Sequence, residues 1–163
     1  MRYLNREMKS SYITHFARAF AEALSEMAGQ SCRAGDLRPL PETMVSYGMV
    51  VIVGITGARP GRMIMDTGRE TARQISQLIN GESYDIDDQF ILYTMAELAN
   101  IVSGKAISHI NNMYRGLGLR LTPPGIFRGD LLQVSSPRIN AEMISISTPL
   151  GDFSLSVGFE GGK

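Results

Sequence analysis

Cysteine is nearly absent from this chain: 163 residues contain only Cys32. One thiol excludes an internal disulfide and cannot by itself build a thiolate metal site, so Cys32 is expected to be a small buried apolar residue. An excess of either charge is also missing. Lys plus Arg and Asp plus Glu each number 16, for a formal net charge of zero. No excess basic charge is there to hold nucleic-acid phosphates or an anionic membrane surface; Arg59 and Arg62, close together in a turn, leave room for a local patch, though two such residues are more often just solvated. Long apolar runs are absent too. The longest, about a dozen residues around Val45–Ile55, is broken by Ser46, Gly48 and Gly54 and falls short of a bilayer span. Met1–Thr14 mixes Arg, Asn, Glu and Lys with apolar residues, so it does not read as a signal peptide and the cytoplasm is the expected compartment.

What is present suffices for one ordinary globular domain, expected over 1–163. Hydrophobic residues make up 44% and charged residues 20%, a composition that can close a single core. Residues 7–28 read as a helix, with Phe16, Ala19, Phe20, Ala23, Leu24 and Met27 at spacings of three and four and Gly29 as the stop. Ser31–Glu42 holds Pro39 and Pro41 and reads as connection with room for a short edge strand. Val45–Thr56 reads as a strand with Val45, Tyr47, Met49, Val51, Val53 and Ile55 on one face. The turn at 57–61 returns it as Arg62–Asp66. Thr67–Asn80 is predicted helical and closed by Gly81, and a long helix follows from Asp88 to about Arg115.

The tail is again β. Leu119–Phe127 is irregular around Pro123-Pro124, and Glu142–Thr148 and 153–159 alternate across a Pro149–Asp152 turn. Each half of the chain thus offers a helix, an irregular Pro-containing stretch and a hairpin. The expected fold class is α+β: a duplication of helix-plus-β-hairpin units, with an antiparallel sheet packed against two long helices.

The informative segment is the long helix. At about 100° per residue, with Ile91 at zero, Met95, Leu98, Val102, Ala106, His109 and Met113 fall within about 60° and form the expected core stripe. Glu97 and Asn100 fall on the far side, with Tyr93, Gly104 and Asn111 near them. Glu97 and Asn100 are neighbours at three-residue spacing. Gly104 follows one turn later and leaves that face bare, although a helical Gly costs about 0.5–1 kcal/mol relative to Ala. A carboxylate, an amide and a bare patch therefore share one exposed face. On spacing alone they are ordinary solvated residues.

Other chemistries lack their residues. Gly57–Gly61 is not followed by the Gly-Lys-Ser/Thr of a phosphate loop, no serine sits in a Gly-x-Ser-x-Gly elbow, and Asp85, Asp87 and Asp88 lack the rest of a calcium loop. His15 and His109 lie on different helices, and His109 is expected in the core.

The run Glu97-Leu98-Ala99-Asn100-Ile101-Val102-Ser103-Gly104 resembles the Glu-x-x-Asn-x-x-x-Gly helix of the CheC/CheX/FliY chemotaxis phosphatases, the CheX-like members in particular. Val53-Gly54-Ile55-Thr56-Gly57 with Gly61, the 71–81 helix ending in Asn80-Gly81, the Pro123/Pro124-to-Gly129 stretch and the closing Ser-rich hairpin follow in the order of that family. The resemblance implies a CheC-like fold and hydrolysis of the aspartyl phosphate on a CheY-like response-regulator receiver. It implies that Asn100 orients the attacking water and that Glu97 contacts the receiver's active-site lysine. It further implies a homodimer formed through the sheets and Mg²⁺ supplied by the receiver, with no cofactor of the chain's own. Many family members carry an acidic or small polar residue where Tyr93 stands, so Tyr93 either blocks or packs against the partner. Glu22 is followed by Ser25 and Glu26 by Gly29, so no second Glu-x-x-Asn is intact, which favours the one-site CheX arrangement. A non-catalytic module docking a receiver or flagellar-switch partner through the same face, and a structural domain of the switch type, stay open.

Overall fold

A computed structural model describes residues 2–135 and 139–160; Met1 and residues 161–163, the ends of the expected domain, lie outside them. The elements run α1 (Arg2–Ala28), β1 (Arg33–Pro39), β2 (Thr43–Val45), β3 (Gly48–Thr56), β4 (Gly61–Gly68), α2 (Arg69–Asn80), α3 (Gln89–Met113), β5 (Arg120–Leu121), β6 (Gly125–Arg128), β7 (Gln133–Ser135), β8 (Ile139–Thr148) and β9 (Gly151–Glu160). The main sheet is antiparallel in the order β1-β8-β9-β4-β3, with β5 and β6 both on the free side of β3. A separate two-stranded sheet joins β2 to β7.

Period-2 alternation fills the core. Met49, Val51, Val53 and Ile55 of β3, Met63 and Met65 of β4, and Phe153, Leu155, Val157 and Phe159 of β9 share one cluster with Phe16, Phe20 and Leu24 of α1 and Met95, Leu98 and Val102 of α3. The register sets Val51 opposite Met65 and Met65 opposite Leu155, so these side chains form rows beneath the helices. Phe20 packs on Phe153 with ring centroids 4.8 Å apart, which seats α1 on the middle of the sheet.

The two halves do not stand side by side as separate units. β4 and β9 pair at the centre, but β1 of the first half pairs β8 of the second, and β6 of the second pairs β3 of the first. Ser31–Glu42 therefore contributes more than a connection: β1 is a seven-residue edge strand, exposed along its whole length. The predicted single strand over Val45–Thr56 is two strands with a break. Val45 and Tyr47 are exposed and leave the alternating face.

The cause of the break is Asp66, buried on β4. Its carboxylate accepts from the Ser46 hydroxyl at 2.7 Å and from the Tyr47 N–H at 3.1 Å, while the Gly48 N–H donates to Ser46 Oγ at 2.9 Å. This latch turns the chain out of the main sheet, so that β2 pairs β7 instead. Cys32 is half-buried, at the margin of the core rather than within it. No helix of the described residues is long and apolar enough to cross a membrane.

Candidate functional site

The site rests on α3, and local chemistry sets where α3 begins. Gly81, with φ of 67°, closes α2 in the left-handed region, and its N–H donates to the Gln77 carbonyl. Asp88 then caps α3 by accepting from the Phe90 N–H at 2.9 Å. Two further ties hold this end. Asn80 Nδ2 donates to Thr94 Oγ1 at 2.7 Å, linking α2 to α3. Asp87 pairs with Arg69, and its carbonyl accepts from Arg128 of β6 at 3.0 Å.

Along α3 the inner side is closed by Ile91, Met95, Leu98, Ala99, Val102, Ala106 and Ile110, all fully buried. Glu97 and Asn100 stand on the opposite side, exposed. Among the described residues neither side chain has a hydrogen-bond or ion-pair partner in the fold. Tyr93 is exposed one turn earlier. Gly104 lies one turn later, and a Cβ built there meets nothing within 4 Å. The structure thus brings Tyr93, Glu97, Asn100 and Gly104 into one open stripe on a helix whose opposite side is buried.

Nearby polar residues are used differently. Asn111, close to Asn100 on the helical wheel, clamps the following strand: its Nδ2 donates to the Leu119 carbonyl at 3.0 Å and its Oδ1 accepts from the Leu119 N–H at 2.9 Å. Lys105 reaches Glu26 at 3.4 Å and Glu22 at 3.9 Å, tying α3 to α1. The acidic residues of the degenerate motif on α1 are thereby occupied.

The core stripe needs two corrections. His109 is exposed rather than buried, and its ring stacks on His15 of α1 with centroids 6.1 Å apart. Burial, then His109 and then Arg18, holds the His15 imidazole below its ordinary value of 6.5. Met113 is 60% exposed. In the last turns Ile107 and Ile110 are the buried apolar residues, while the His109 ring lies against His15 of α1 and Asn111 holds the Leu119 backbone. The wheel centred on Ile91 sets Phe90 about 100° from its centre, outside the core stripe, but does not show what the ring does there. Its exposure, and its ring contacts with Tyr84 and Tyr93, emerge only in the fold.

An amide and a carboxylate on a water-facing stripe, without internal partners, can act on a second molecule. They can hold a water and pair with a cation, and neither requires covalent chemistry from this chain. Among the described residues no group of three or more His, Cys, Asp or Glu is placed to hold a metal.

The chain is similar to proteins of one known family in sequence and in fold. Residues 49–147 match the family model for the chemotaxis phosphatase CheX. A curated relative, the CheY-P phosphatase CheX of Thermotoga maritima, is 26% identical over 116 residues, covering 71% of this chain and 74% of its own length. A chemotaxis protein CheX from Desulfovibrio desulfuricans superposes with a TM-score of 0.81 at 24% identity, over 91% of this chain and 99% of that one. The CheX–CheY–BeF3–Mg complex from Borrelia burgdorferi gives a TM-score of 0.79 at 25% identity, over 91% and 97%.

Proposed function

This chain belongs to the chemotaxis phosphatase CheX family, and from that premise we propose that it hydrolyses the aspartyl phosphate of a CheY-like receiver domain. The observation that carries the reading is the pair Glu97 and Asn100, exposed and without partners on the outer face of α3. In the reaction a water oxygen attacks phosphorus, the bond to the receiver's aspartate oxygen breaks, and inorganic phosphate and a free carboxylate leave. Phosphoryl transfer asks for position and charge neutralisation more than for a nucleophile from the enzyme. The Asn100 amide holds the water in line and, being neutral, does not repel the phosphoryl oxygens. Glu97 meets the receiver's active-site lysine. The Mg²⁺ is the receiver's own. Tyr93 and Gly104 border the approach, the reaction belongs in the cytoplasm, and the assembly is a homodimer formed through the sheets.

Support comes from the family, from the relative named as a CheY-P phosphatase, and from the likeness to a chain solved with CheY. Tyr93, where many of the family carry an acidic or small polar residue, favours a second reading in which the chain docks a receiver without hydrolysing its phosphate. The decisive experiment follows the decay of phosphorylated CheY-like receivers from the same genome, with and without this protein. Accelerated decay of one receiver supports the phosphatase. Binding without acceleration selects the docking module instead.

Gly104 supplies a test in which two effects have opposite sign. Gly104→Ala should stabilise the helix by about 0.5–1 kcal/mol, since the new methyl meets nothing in the fold. The same methyl stands where a partner approaches, so receiver dephosphorylation should slow. Thermal melts and decay assays on one preparation read both. A more stable variant with unchanged activity would remove Gly104 from the approach.

A further inference from the structure

Phe90 and Tyr93 are each 59% exposed, an unusual placement for two large rings on a helix whose inner side is completely buried. They are ordered by contact with one another. Their centroids lie 6.1 Å apart in an edge-to-face arrangement. Phe90 also stacks on Tyr84 at 6.1 Å, and Tyr84 is buried with its N–H held by Gln77 Oε1 at 3.1 Å. Tyr84, Phe90 and Tyr93 thus make a continuous row anchored at its inner end. At about 100° per residue, Phe90, Tyr93, Glu97, Asn100 and Gly104 fall within roughly 80° of arc, and at 1.5 Å rise they span about 21 Å.

We propose that this aromatic row is the docking platform for the same receiver, setting how tightly it is held while Asn100 sets how fast its phosphate is cleaved. The inference rests on the phosphatase reading and extends it. A specific protein contact covers about 800 Å² on each partner, far more than one carboxylate and one amide can supply. A partner reaching Asn100 must therefore extend along the helix. Toward the C-terminus the same face offers a bare Gly104 and then Asn111, whose amide is already bound to the Leu119 backbone. Toward the N-terminus it meets two pre-ordered rings continuous with Glu97. Aromatic rings lose little conformational freedom on binding and are enriched among residues that dominate interface energies.

The test uses the full chain and a phosphorylated receiver that it dephosphorylates, with decay measured against receiver concentration. The Phe90→Ala/Tyr93→Ala double variant should raise KM at least tenfold and leave kcat within about twofold. Tyr93→Phe keeps the ring and should behave as wild type. If the double variant loses its fold in a thermal melt, Tyr93→Ala alone leaves the Phe90–Tyr84 stack and should still raise KM several-fold. Titration with the beryllofluoride-activated receiver should show the same loss of affinity in the ring variants and none in Asn100→Ala. An unchanged KM and unchanged binding in folded ring variants overturn the platform and leave the phosphatase standing. A wild-type chain that neither binds nor dephosphorylates any receiver of its genome overturns both.

Discussion

Asn100→Ala should leave the fold intact and remove about a hundredfold or more of the receiver dephosphorylation. Stability should stay within about 0.5 kcal/mol of wild type, because the side chain is exposed and has no partner in the fold. The packing beneath it, Leu98, Ala99 and Val102, is untouched. The rate should collapse because the amide is the group that holds water in line. Loss of one well-placed polar contact to a transition state costs about 10²–10³-fold, or roughly 3–4 kcal/mol. Asn100→Asp is the sharper control. It keeps the size but replaces the amide donor with a negative charge facing phosphoryl oxygens, so it should be no better than Ala. Binding to the beryllofluoride-activated receiver should survive in the Ala variant, which separates orientation of the water from docking. A variant that dephosphorylates at the wild-type rate would end the assignment of Asn100.

The second large effect is on stability and lies away from the site. Asp66→Ala should destabilise the fold by about 3 kcal/mol, because the Ser46 hydroxyl and the Tyr47 N–H lose their acceptor. Urea unfolding would read it, and a thermal melt should show a fall in melting temperature of roughly 6–12 °C. Asp66 also carries a pH signature. Burial pushes its carboxyl above the ordinary value of 3.8, against the pull of hydrogen bonds from Ser46, Tyr47 and Thr67. The folded chain therefore keeps this proton to higher pH than the unfolded chain does. The associated stability is present below 3.8 and is lost as pH rises through the folded value. Relative to Asp66→Asn, which does not titrate, wild type should lose stability as pH is raised from below 3.8 toward neutrality. The opposite slope would mean that the hydrogen bonds outweigh burial.

Local signals in the sequence placed the helices well. Gly81 and Asp88 stop one helix and start the next through contacts within a few residues of themselves, and the alternation in β9 needs only its own side chains. Glu97 and Asn100 fall on the outer face by helical arithmetic, and the fold puts them there. Where the arithmetic failed, a distant partner decided. His109 sits at zero degrees on the wheel yet is exposed, with its ring stacked on His15 of α1. β1 has no buried face to announce it and becomes a strand only through β8, more than a hundred residues away. The break at Ser46–Tyr47 depends on Asp66, on another strand.

Asn100 and Asn111 mark the division most clearly. By itself the sequence determined that both asparagines leave the α3 core stripe, since helical periodicity depends only on nearby residues. It could not distinguish them: they differ by about 20° on the wheel. Only the tertiary structure brought the Leu119 backbone to Asn111 and nothing to Asn100. A side chain's partners come from wherever the chain returns in space, and that return is a property of the whole fold.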